Sequence, residues 1–182
     1  MAIEPGDKVL FMKIGIHASE SLESIIERKR AEIRDEGFAF WGYGGNTCHP
    51  TRMVQPFALS TTGPIVLAMH PMVSNHFADP IRAKQYSPDG ITWTDVPSGI
   101  NCVGSRHALL IDSLEPASFD LDLSKTRVAL GPSRGKVGTN YIKARVDKAC
   151  LEVVEAPEGE AQTIEIGFQA MLADPYAVFL RY

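Results

Sequence analysis

Long apolar runs are missing from this 182-residue chain. The longest, Ile65 to Met69, is interrupted by His70 and Pro71 and falls well short of the ~18–20 apolar residues that span a bilayer, so no membrane contact is expected. Cysteine is scarce as well. Cys48, Cys102 and Cys150 are odd in number and widely spaced, which excludes a disulfide framework. The opening residues, Met1 to Asp7, lack the basic start and apolar stretch of a secretory signal, so a reducing cytoplasm is the expected compartment. Cys48, His49, His70 and His76 lie close in sequence, but no C-x₂-C, H-x₃-H or HExxH pair appears. No metal and no cofactor are therefore expected. Nor does one sign of charge dominate: 18 basic against 22 acidic residues gives −4, which excludes a uniformly basic coat for nucleic acid.

What remains is an ordinary globular composition, 45% hydrophobic and 22% charged, in a chain too short for a TIM barrel or a full propeller. Lys8 to Ile14 is a nearly continuous apolar run, as expected of a strand buried on both faces in the middle of a sheet. Leu22, Ile25, Ile26 and Ile33 form one helical stripe, with Ser19 or Ser21 as cap and Gly37 as stop, predicting a helix over about 20–36. Its other face, carrying Glu27, Arg28, Arg30, Glu32 and Arg34, reads as solvated. Further strands are expected at Phe38 to Trp41, Pro64 to His70, His107 to Ile111, Phe119 to Leu123 and Thr126 to Leu130. A helix to about Lys148 precedes a strand, and Thr163 to Leu172 and Ala177 to Leu180 read as two strands in a hairpin-like connection at Asp174-Pro175. The economical fold class is a single α+β domain over residues 1–182, with a mixed, strongly bent sheet or partly closed β-barrel and one main helix.

Ile81 to Val96 reads as a β-hairpin whose tip, Ser87-Pro88-Asp89-Gly90-Ile91-Thr92-Trp93, resembles the Asp-box turn of sialidase-like propellers. The tip is one residue short of that pattern and occurs once, so the resemblance implies a tight turn and no glycosidase function.

Two segments could hold a ligand. In Trp41-Gly42-Tyr43-Gly44-Gly45-Asn46 the glycines let backbone amides approach a ligand while Trp41 and Tyr43 present flat rings; the plainer reading is a sharp turn with core-filling aromatics. In Lys125 to Lys148, seven basic residues stand against Asp147 alone, a strip of +6 in a chain whose remainder is −10. Here Gly131 to Gly138, with Arg134 and Lys136 and a Thr139 cap, could cradle phosphate, joined by Lys143 and Arg145. The spacing is not that of a Walker loop, which argues against an NTPase.

Three functions follow. The first is a binding or sensing module for a phosphate-bearing ligand, a nucleotide or a nucleic-acid element, using Trp41, Tyr43, Gly44, Gly45, Asn46, Arg134, Lys136, Lys143 and Arg145. The second is a hydrolase or transferase with Cys48 as nucleophile near the start of a short helix, and His70 or His107 as base, with His76 a further imidazole. The third is a scaffold or subunit without small ligand, pairing its C-terminal strands with a partner or a second copy.

Overall fold

The computed structural model describes residues 3–142 and 146–182. The strands are β1 (Lys8–His17), β2 (Ala39–Tyr43), β3 (Val66–His76), β4 (Gln85–Ser87), β5 (Thr94–Asp95), β6 (His107–Asp122), β7 (Thr126–Val128), β8 (Lys148–Val153) and β9 (Thr163–Arg181). The helices are α1 (Leu22–Glu36), α2 (Gln55–Leu59) and α3 (Gly138–Tyr141), with a π-turn over Pro50–Val54 running directly into α2.

Among the described residues these strands form one mixed sheet in the order β2-β6-β9-β3-β1-β8-β7, with the β4–β5 hairpin attached to the end of β9. Only β1 and β3 run parallel; the helix α1 and strand β2 lie between them in sequence and supply the crossover. The sheet is open, with β2 and β7 as its edges, which corrects the expectation of a partly closed barrel. The α+β class holds.

β1 explains its own sequence. Leu10, Met12 and Ile14 point into the core shared with α1, while Val9 and Phe11 enter a second cluster with Leu121, Leu123 and Leu151. Apolar residues on successive positions are required because both faces are covered. α1 begins where Ser21 accepts a hydrogen bond from the Ser24 amide (3.2 Å) and ends at Gly37, whose φ of 85° lets its amide reach the Ile33 carbonyl at 2.9 Å.

Three expectations need correction. The segments around Asp174-Pro175 do not form a hairpin: both halves of β9 pair antiparallel with the same strand, β6, and residues 173–176 bulge opposite Leu110 between the pairs Leu109↔Ala177 and Ile111↔Leu172. A hairpin would need the chain to turn back upon itself, whereas the bulge absorbs extra residues without reversing direction. The expected strands at His107 to Ile111 and Phe119 to Leu123 fuse into β6, because β9 is long enough to pair along both. The helix expected to about Lys148 appears among the described residues as α3, which starts after Val137 rather than from a Thr139 cap, and Lys148 already opens β8; Thr139 Oγ1 donates instead to the Glu160 carbonyl.

Candidate functional site

β2 places Trp41 and Tyr43 on the face turned toward α1, because alternate strand residues share a side and Ala39, Trp41 and Tyr43 all join the central core cluster. Gly42 points the other way, into the 101–106 segment. A Cβ there would stand 2.4 Å from Ser105 Oγ and 3.1 Å from Cys102 Sγ, so only glycine allows this approach. The segment is fixed from several sides. The Arg82 guanidinium donates to the carbonyls of Ile100 (2.9 Å) and Pro97 (2.6 Å), and His17 Nε2 lies 2.9 Å from the Val103 carbonyl.

Between β1, β2, α1 and this segment lies a cavity of about 720 Å³, a size that suits a small organic ligand. Trp41, Tyr43, Gly44 and Gly45 form one wall, and Arg28 and Lys29 of α1 reach it from the helix. Arg106, Lys13 and Lys148 add positive charge, with Asp147 the lining acid. His17 and His76 also border it, stacked in parallel with ring centroids 5.3 Å apart.

The helix side of the cavity is an ion-pair network. Lys29 Nζ donates to Glu32 Oε2 at 2.8 Å and to the Asn101 carbonyl at 2.6 Å, Arg28 donates to Glu20, to Glu32 Oε1 (3.1 Å) and to the same carbonyl (2.7 Å), and the Asn101 amide returns a bond to Glu32 Oε1 at 3.0 Å. Lys29 and Glu32 are 3% and 4% exposed, so Glu32, read as part of a solvated face, is in fact buried. Burial pulls the Lys29 ammonium below its usual range, against the pull of Glu32. Arg28 is held above its ordinary value: burial opposes its charge, but Glu20 and Glu32 together outweigh that cost. The hydrogen bond from Arg28 also holds the Glu20 carboxyl low. Burial pushes the Cys102 thiol up.

The sequence-predicted residues separate in space. Trp41, Tyr43, Gly44 and Gly45 border the cavity; Asn46 is exposed just beyond them. Arg134 and Lys136 are exposed and lie outside the cavity lining, while Lys143 and Arg145 fall outside the described residues. The loop's own amides are occupied: Arg134 donates to the Gly131 carbonyl, Gly135 to Val128 and Lys136 to Ser133. The basic strip reaches the aromatic and glycine segment through Lys148, which borders the same cavity, and near Tyr141, whose ring hydroxyl lies beside Thr47 and Ser133.

Cys48 is buried, with its thiol 3.7 Å from that of Cys150. His70 Nδ1 lies 2.7 Å from the Glu165 carbonyl, and His107 packs against Tyr43, His49 and Phe179 at centroid distances of 5.3–5.6 Å. No hydrogen bond among the described residues joins Cys48 to either imidazole. His107 Nδ1 is buried without a partner, and burial, with His49 and Arg106 nearby, pushes its pKa down to about 4.

Sequence reasoning passed over Lys29 and Asn101 and placed Glu32 on the solvated face. A signal was present for two of them. Positions 29 and 32 fall on the stripe defined by Leu22, Ile25, Ile26 and Ile33, so a lysine and a glutamate interrupt the buried face of an otherwise regular helix. Among the described residues no group of three or more metal-ligating side chains occurs, and no helix is long and apolar enough to cross a membrane. No protein-family model, curated protein or solved structure matches the chain.

Proposed function

We propose that the protein is a binding module for a phosphate-bearing small ligand with a planar ring, of which a nucleotide is the expected class. The observation that carries this reading is the shared cavity: the Trp41–Tyr43 wall and the Gly44–Gly45 backbone face a space also bordered by Arg28, Lys29, Arg106 and Lys148. A ring lies against the aromatic wall, where base stacking contributes roughly 1–3 kcal/mol. Among the described residues the Gly44 and Gly45 amides donate to no carbonyl of the chain, so they are open to phosphate or base-edge oxygens. Arg28 and Lys29 are already neutralised by Glu20 and Glu32 and serve as an ordered floor of donors. Charge toward phosphate comes from Arg106 and Lys148 at the lining.

Calorimetric titration of the full chain with the four nucleoside 5′-monophosphates and the matching nucleosides tests the proposal. At least one monophosphate should bind more tightly than its nucleoside and weaken as salt rises. Trp41→Ala, checked for folding by circular dichroism, should lose roughly tenfold or more in affinity, and Arg106→Ala should lose part of the salt dependence. Arg134→Ala with Lys136→Ala should change nothing. Absence of binding up to millimolar ligand, or unchanged affinity in a folded Trp41→Ala protein, would overturn it; oligonucleotide binding that requires Arg134 and Lys136 would move the function to the basic strip instead.

A further inference from the structure

Cys48 and Cys150 are 102 positions apart in sequence, yet their thiols are 3.7 Å apart and both are buried, at 1% and 5% exposure. The third cysteine, Cys102, sits on the segment packed against Gly42 and belongs to a different core cluster. The two partners are held by different backbone. Cys150 is held in β8, paired opposite Leu10 of β1. Cys48 sits in a turn at φ 63°, with its carbonyl accepting the Tyr43 hydroxyl and its amide 3.2 Å from Met53 Sδ. The preceding residues Gly44 and Gly45 have nothing packed where a side chain would stand, so this turn has room to shift. A disulfide needs its sulfurs at about 2.05 Å, and the closure of the remaining gap falls on the turn rather than on the strand.

We propose that Cys48 and Cys150 form a reversible dithiol–disulfide pair that fastens the glycine-rich wall of the cavity to β8. With a peroxide as oxidant, the Cys48 sulfur attacks one peroxide oxygen, the O–O bond breaks, and sulfenic acid and water result. The Cys150 sulfur then attacks the sulfenic sulfur, the S–O bond breaks and a second water leaves with the remaining thiol proton. Two thiols lose two electrons, and one peroxide is reduced to two waters. A small dithiol reverses the reaction by exchange. The link stands independently of which ligand the cavity takes.

The test treats the full folded chain with hydrogen peroxide, then denatures it in excess maleimide and measures intact mass and a peptide map. The oxidised chain should be lighter by two hydrogens, take one maleimide at Cys102 where the reduced chain takes three, and yield a crosslinked peptide joining Cys48 to Cys150. Dithiothreitol should restore all three thiols. Amide exchange across residues 44–49 should slow at least tenfold on oxidation. The crosslink is read in the unmodified chain, so the test does not depend on whether Cys48→Ala or Cys150→Ala folds; where either does, the loss of two hydrogens should vanish. Three maleimides after peroxide, a crosslink that includes Cys102, a disulfide between two chains, or unchanged exchange in residues 44–49 would overturn the proposal.

Discussion

Arg34 and Glu32 both form ion pairs on α1, and their surroundings give those pairs opposite weight. Arg34 and Asp35 pair in open solvent with side chains 71% and 61% exposed, where Coulomb attraction is screened and such pairs contribute little. Glu32 is buried and holds Arg28, Lys29 and the Asn101 amide at once. Its removal would leave Lys29 charged, desolvated and short of its counter-ion. Glu32→Ala should therefore cost about 3–5 kcal/mol in urea denaturation, whereas Arg34→Ala should stay within about 0.5 kcal/mol of the parent. His107 makes a second residue-scale prediction. Its folded pKa of about 4 lies below the ordinary 6.5, so between those values the unfolded chain binds the proton and the folded chain does not. Stability should rise with pH across this window, level off above it, and be lost as pH falls toward 4, by at most about 3 kcal/mol. His107→Phe keeps a ring against Tyr43 and Phe179 and should flatten that part of the urea-midpoint profile; an unchanged slope would assign it to other groups.

Elements read from sequence did best where the information was local. α1 is encoded by a cap, a stop and a stripe within seventeen residues from Ser21 to Gly37, and it forms as expected. β1 shows burial on both faces in its own nearly continuous apolar run. β9 did not read correctly, because Asp174-Pro175 has the composition of a turn while the pairing with β6 keeps the strand direction. β2 pairs along β6, and its Gly42 lets it lie against Ser105 and Cys102. Gly42→Ala should push the 101–106 segment away, cost about 1–3 kcal/mol and disturb the cavity. Thermal melts and amide exchange over residues 101–106 check this; a stability within experimental error of the parent would show that the contact relaxes without cost.

At the scale of the whole molecule, the net charge of −4 conceals a basic strip from Lys125 to Lys148 and an acidic remainder. The fold partly disperses that strip. Arg127 pairs with Glu158, Lys148 reaches the cavity, and Arg134 and Lys136 face solvent elsewhere. The expected indifference of ligand binding to Arg134→Ala and Lys136→Ala follows from this placement. The candidate site instead gathers β1, β2, α1 and the 101–106 segment, pieces separated in sequence by the whole of β3 and the β4–β5 hairpin. Trp41, Tyr43, Gly44 and Gly45 were legible as ligand-facing candidates because aromatics among glycines are unusual for a plain strand. Their cationic neighbours were not, since Arg28 and Lys29 become part of the cavity only when α1 packs beside Asn101.

By itself the sequence determined the α+β class, the limits of α1, the doubly buried character of β1 and the want of any bilayer-spanning run. Caps, periodicity and hydrophobic length act over a few residues and can be read from neighbours alone. Tertiary structure decided that the sheet stays open, that β9 runs on through its proline, that Lys29 and Glu32 are buried, and that Cys48 meets Cys150. Those outcomes rest on partners dozens to more than a hundred positions away, and a side chain's burial, charge partner and reactivity are set by what finally packs against it.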